Sequence, residues 1–271
     1  MQLNSGNDMA ANLRAAGEAV RAAAGQGAQF IMLPEYVALL DGSGRVMRDN
    51  SYAEEGHPAL AAFQSLSRET GAWLLVGSVT VKLDGEQMAN RSYLLSSAGA
   101  VVARYDKIHM FDVTLPSGKV IRESSAYRPG ARAVIAATPW GVLGMSVCYD
   151  LRFPHVYRDL AQAGAVLLAV PSSFQRETGI AHWHTLLRAR AIENLCYVVA
   201  SAQCGMHPSG RQTWGHSMII DPGGEVIRLG GREEEILDAV FDLAALKKHR
   251  EKGIYGRHHR QPGTYGPLMQ P

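Results

Sequence analysis

Short apolar runs recur along the whole chain, and each is followed by polar or helix-forming sequence. Runs over residues 30–33, 73–81, 92–96, 101–105, 134–137, 142–147, 166–170, 197–202, 217–220, 226–229 and 236–241 predict strands. Helices are predicted over 7–24, 58–68, 154–163, 181–194 and 243–250. The punctuation agrees. Asp8 stands near the start of the first helix, and Gly25 and Gly27 end it. Pro58 fits a first helical turn, and Asp84-Gly85 fits a hairpin. Residues 142–170 read as one strand–helix–strand unit. Strand and helix alternate without a linker, repeat or low-complexity block. This predicts one α/β domain over residues 1–271, its sheets covered by helices on at least one face. The Gly-, Pro- and His-containing tail from 253 to 271 is expected to be irregular.

Two segments, 40–58 and 106–132, are too long for simple connectors. Loops of that length in a compact domain are functional or disordered. Composition narrows the classes further. The chain has 271 residues, 46% hydrophobic, with a formal net charge of +2, which argues against a nucleic-acid footprint. No apolar run approaches the roughly 20 residues needed to cross a bilayer, and no targeting signal is legible at 1–6, so a soluble intracellular protein is expected. Three cysteines, Cys148, Cys196 and Cys204, make no disulfide framework and no zinc-type pair. His182 and His184, two apart on a predicted helix, point about 200° apart and do not share an ion. No metal or organic cofactor is expected.

The candidate chemistry lies at strand ends, where open α/β sheets place their sites. Glu35 follows Phe30-Ile31-Met32-Leu33-Pro34, Lys107 follows the run 101–106, and Cys148 follows the run 142–147. Alone, such a cysteine is more often a small buried hydrophobe, and such a glutamate or lysine is more often solvated. Together they form a set with a chemical logic. A carboxylate takes the thiol proton, the thiolate attacks, and an ammonium stabilises the anions that form. The backbone N–H of Tyr149, just past the cysteine, is a second candidate oxyanion donor.

These residues sit in segments that resemble the nitrilase, or carbon–nitrogen hydrolase, superfamily. Leu33-Pro34-Glu35 is similar to its glutamate motif, Tyr105-Asp106-Lys107-Ile108-His109 to its lysine motif, and Ser146-Val147-Cys148-Tyr149-Asp150-Leu151-Arg152-Phe153-Pro154 to its cysteine motif. Arg122-Glu123-Ser124 matches the family's second glutamate, which implies that Glu123 orients Lys107 or helps hold the site without transferring protons itself. The resemblance covers nearly the whole chain. It implies a four-layer αββα sandwich stacking into a homodimer, no cofactor, and cleavage of a small-molecule amide through a cysteine thioester. It also implies a short apolar strand ending in Gln at the start, shortened here to residues 1–5.

Residues 181–183 with 186–194, and 214–217 with 221–222, are similar to the Nit branch, within which 186–190, 202–205 and 216–218 lean toward the subgroup that acts on deaminated glutathione. Two rivals stand beside that reading: an ω-amidase of α-ketoglutaramate-type amides, and a non-catalytic interaction protein on the same fold.

Other positions keep two readings. Trp183 is core or a ligand stacker. Arg188 and Arg190 are structural or bind substrate carboxylates. Asp150 and Arg152 are expected to fix the turn by pairing. Cys196 is expected to be inert packing, and Cys204 to be more exposed. Val156, Leu160 and Ala163, and Trp183, Leu186, Leu187 and Ala191, form apolar stripes that either pack on their own sheet or meet a second subunit, where the tail would support them.

Overall fold

The computed structural model describes residues 1–252. The tail 253–271, with its expected irregularity and its part in a dimer, lies outside the described residues. The chain begins with α1 (Met9–Gly25), whose cap Asp8 accepts the Ala11 N–H, and then forms β1 (Phe30–Met32). A short α2 (Gly44–Asp49) and α3 (Pro58–Thr70) precede the long β2 (Trp73–Lys82), β3 (Met88–Leu95) and β4 (Val101–Asp106). A small hairpin, β5 (Asp112–Thr114) and β6 (Val120–Arg122), follows.

The second half runs β7 (Val134–Thr138), β8 (Gly141–Met145), α4 (Pro154–Gln162), β9 (Ala165–Ala169), α5 (Arg176–Asn194) and β10 (Tyr197–Ala200). It closes with β11 (Cys204–Met206), β12 (Gln212–Trp214), β13 (Met218–Ile220), β14 (Val226–Leu229) and α6 (Leu243–Lys252).

Two large sheets result, ordered β1-β2-β3-β4 and β14-β13-β10-β9-β8-β7, beside the two-stranded pairs β5-β6 and β11-β12. Strand alternation sorts their side chains into layers. Leu74, Val76, Tyr93 and Leu95 point one way and pack with Val20 of α1 and Phe63 of α3. Met32, Leu75 and Leu94 point the other way and pack with Leu143 and Met145 of the second sheet. Leu160 of α4 and Trp183 and Leu187 of α5 cover that sheet's far side. The α-β-β-α layering expected from the resemblance is the fold observed. Full burial of each such large apolar side chain contributes roughly 1.5–3 kcal/mol.

Several expectations change. Residues 236–241 form no strand. Glu235 makes only an isolated bridge to Gln2, and Val240 is left exposed. At the start, Gln2 and Leu3 make isolated bridges in place of the expected strand. The segment 40–58 carries α2, and 106–132 carries the β5–β6 hairpin and a short 3₁₀ turn, Glu123–Ser125. The apolar stripes settle on their own sheet: Leu160, Trp183, Leu187 and Ala191 are core residues, with Val156 and Leu186 packed against them. Cys204 is buried, not exposed, because it lies within β11. No helix of the described residues is long and apolar enough to cross a membrane.

Candidate active site

Three backbone devices bring the strand-end residues together. The first is Gly77 in β2. A Cβ there would lie 2.1 Å from the Leu33 carbonyl oxygen and 2.4 Å from that of Pro34, so only glycine lets the Glu35 segment close against the strand. Ser78 then fixes that segment: its Oγ accepts the Tyr36 N–H at 2.9 Å and its carbonyl accepts the Val37 N–H at 3.1 Å. Gly77→Ala is expected to cost about 3 kcal/mol, since backbone cannot yield as a side chain tip does, and to lower activity by displacing Glu35. Urea unfolding beside kcat checks this; wild-type values in both would show that the contact is not tight.

The second device fixes Lys107 just past β4. Its N–H donates to Asn90 O at 3.0 Å and its carbonyl accepts the Gly130 N–H at 2.8 Å. The third is the turn after β8. Cys148 has a left-handed backbone, φ 51°, and its N–H donates to Pro171 O at 2.9 Å. Asp150, fully buried, braces this turn. Its carboxylate accepts the Val147 N–H at 2.9 Å, the Tyr105 hydroxyl at 2.7 Å and the His109 N–H at 3.1 Å. The turn-fixing role expected for Asp150 is observed, but its partners are Tyr105 and His109, not Arg152. The Arg152 guanidinium instead lies over the rings of Phe174 and Tyr149.

Glu35, Lys107, Glu123 and Cys148 meet in one buried cluster. The Lys107 ammonium lies 3.2 Å from Glu35 Oε1 and 2.9 and 2.8 Å from the two oxygens of Glu123. Glu123 is held in turn by the Tyr36 hydroxyl at 3.0 Å and the Phe111 N–H at 2.6 Å. Glu35 Oε1 accepts Asn90 Nδ2 at 2.8 Å. Its Oε2 accepts both the N–H and the hydroxyl of Ser173, at 2.8 and 2.7 Å, and the Cys148 side chain stands beside the same carboxylate. No acceptor among the described residues takes the Tyr149 N–H.

The electrostatics follow from these contacts. Burial alone would raise the Glu35 carboxyl, but Lys107, Ser173 and Arg211 outweigh it and hold the group below its ordinary value. Burial would lower Lys107; Glu123 and Glu35 reverse this and raise it, so it stays an ammonium. Burial and the Glu35 charge push the Cys148 thiol well up, against the pull of Lys107. These directions favour a neutral thiol beside an ionised carboxylate and an ammonium.

The cluster opens into a cavity of about 700 Å³, lined also by Tyr149, Phe174, Lys119, Arg122 and Arg211. Arg188 and Arg190 do not reach it. Arg188 donates to Gly224 O, and Arg190, buried, donates to Leu151 O through Nε and Nη2. Trp183 is core and donates to His216 O. Asn90, Ser173, Tyr36 and Arg211 escaped the sequence reading. Ser173 follows β9 closely, so the strand-end rule could have found it; Asn90, inside β3, carries no local signal.

Comparison with known proteins agrees with this geometry. The family model described as carbon-nitrogen hydrolase matches residues 1–251. The chain is 40% identical to deaminated glutathione amidase of Homo sapiens, over 100% of this chain and 84% of that protein. It is 38% identical to deaminated glutathione amidase of Yersinia enterocolitica, over 99% of this chain and 94% of that one. Its fold superposes on the crystal structure of the Caenorhabditis elegans NitFhit protein with a TM-score of 0.87 and 34% identity, covering 98% of this chain and 65% of that one.

Proposed function

The chain belongs to the carbon–nitrogen hydrolase family, a hydrolase acting on carbon–nitrogen bonds other than peptide bonds, and from that premise we propose that it cleaves deaminated glutathione to 2-oxoglutarate and cysteinylglycine. The observation that carries the reading is the buried Cys148–Glu35–Lys107 cluster at the floor of a cavity lined by further cations. That floor suits an amide, and those walls suit an anionic substrate. The curated relatives cited above are named for this substrate.

In this mechanism Glu35 takes the thiol proton as Cys148 Sγ attacks the scissile carbonyl carbon. The oxyanion is stabilised by the Lys107 ammonium and the Tyr149 N–H. Glu35, now protonated, gives its proton to the leaving amine, the C–N bond breaks, and a thioester remains. Water attacks the thioester as Glu35 takes its proton. Collapse releases 2-oxoglutarate, and Glu35 returns the proton to the thiolate. Glu123 holds the ammonium in place and transfers no proton.

Glu35 must be ionised to start the reaction, which sets the sign of the pH dependence. Its folded-state value lies below the ordinary 4.5. We therefore expect kcat/KM to hold as pH falls from about 7 to about 5 and to decline only below the ordinary value. The stability contribution has the same sign: present above 4.5, lost as pH falls through the lower folded value. A kcat/KM profile taken alongside circular dichroism checks both. A decline centred near 6, with the fold intact, would contradict the lowered carboxyl.

The test of substrate is direct: hydrolysis of deaminated glutathione against α-ketoglutaramate. A preference for the second would make this an ω-amidase. The same reading includes a cytoplasmic homodimer, which a monomeric sedimentation coefficient for the full chain would refute.

A further inference from the structure

We propose that the mouth of the active-site cavity is a second anion subsite, built on Lys119 and Arg176, that receives the distal carboxylate of the amine half of the substrate. This deepens the deaminated-glutathione reading and rests on it. A second cavity of about 390 Å³ adjoins the first, with Lys119, Gln175 and Arg211 lining both. Arg176 and Gln212 line only the outer one.

Its charge is one-sided. Lys119, Arg176 and Arg211 face a single carboxylate, Glu177, already occupied by the N–H and hydroxyl of Ser117 at 3.2 and 3.0 Å. Among the described residues none of the three cations makes an ion pair. Arg176 donates to Gln212 Oε1 at 3.1 Å. Arg211 donates to Ser173, and its buried Nε has no partner. Surface cations without acids are common, but here they line a cavity that shares residues with that of the reactive cluster.

The inner floor is net acidic, since the carboxylates of Glu35 and Glu123 share the single cation Lys107 there. An anionic group on the leaving amine is repelled there and attracted at the mouth. A two-residue amine half reaches about 7 Å beyond the scissile nitrogen when extended, which carries its carboxylate outward. Ile180 and Val120, both exposed, offer apolar surface beside that path. An amide whose leaving group is ammonia has nothing to place in this subsite. Lys119 and Arg176 therefore act on specificity, selecting amides that end in a second carboxylate.

The test compares deaminated glutathione with its C-terminal carboxamide analogue and with α-ketoglutaramate, on the full chain. The wild type is expected to favour the free acid over the carboxamide about tenfold in kcat/KM, a preference that shrinks in high salt. Arg176→Gln and Lys119→Gln should each raise KM for the free acid several-fold more than for the other two substrates, and so erode the preference. Arg176→Lys should keep most of it. Equal losses on all three substrates, or an unchanged preference in both Gln variants, would overturn the subsite. A wild type that cleaves deaminated glutathione without regard to its terminal charge overturns the subsite alone. A wild type that cleaves only α-ketoglutaramate overturns the functional reading and the subsite with it.

Discussion

Cys148→Ala is expected to lose at least about four orders of magnitude in kcat while folding as the wild type does. Both halves follow from position. The thiol is the nucleophile in the proposed mechanism, and neither Cys196 nor Cys204 lines the cavity to replace it. Structurally, alanine removes one small atom from a buried site. The carboxylate it contacted keeps Lys107, Asn90 and both Ser173 donors. The left-handed backbone at this position strains alanine and cysteine alike. Unfolding free energy should therefore move by no more than about 1 kcal/mol. Mass spectrometry of acid-quenched turnover reactions should show an acyl adduct on the wild type and none on the variant. Activity within tenfold of wild type would end the assignment of Cys148.

The second large effect lies at Lys107, where charge and shape are both constrained. Its side chain is 2% exposed and sits between two carboxylates that are themselves buried. Lys107→Met leaves Glu35 and Glu123 without their shared cation, a change expected to cost about 3–5 kcal/mol and to raise the Glu35 carboxyl out of its working form. Lys107→Arg keeps the charge but adds a planar fork where a compact ammonium already contacts three carboxylate oxygens. It is expected to lower kcat at least about a thousandfold, since the cation can no longer meet both Glu123 and the oxyanion. Steady-state kinetics and denaturant unfolding of both variants separate the two costs. An Arg variant that keeps most of its kcat would show that point-charge geometry is irrelevant there.

Much of the site was legible in the residues themselves, because strand ends and turns are local. Glu35, Lys107 and Cys148 each follow an apolar run, which is visible in sequence, although the groups that fix them, Gly77, Asn90, Gly130 and Pro171 among them, are remote. Glu123 came only from its resemblance to a family motif; no periodicity marks it. The layering of the sandwich was likewise implied by the resemblance, while the strands and helices composing it were visible as patterns.

What hydrophobic pattern could not supply was the choice of partner. Trp183 and Leu187 carry the same signal whether they meet their own sheet or another subunit; only packing places them in the core. Arg188 and Arg190 look as fit for a carboxylate as Arg211 does, yet the fold ties them to backbone carbonyls and leaves Arg211 at the cavity. Residues 236–241 are apolar enough for a strand but find no strand to pair with.

Most of the strands and helices, and the order of Glu35, Lys107 and Cys148 after apolar runs, are legible in the chain, whereas α2, β5, β6 and the absence of a strand at 236–241 are not. Each legible feature depends on neighbours a few bonds apart. Only the packing of the sheets sets Asn90 and Ser173, 55 and 138 residues from Glu35, on its two oxygens, and brings Lys119 and Arg211 to the cavity of the reactive cluster. Contacts of that span are set by how two sheets pack face to face, a condition that no single segment of the chain encodes.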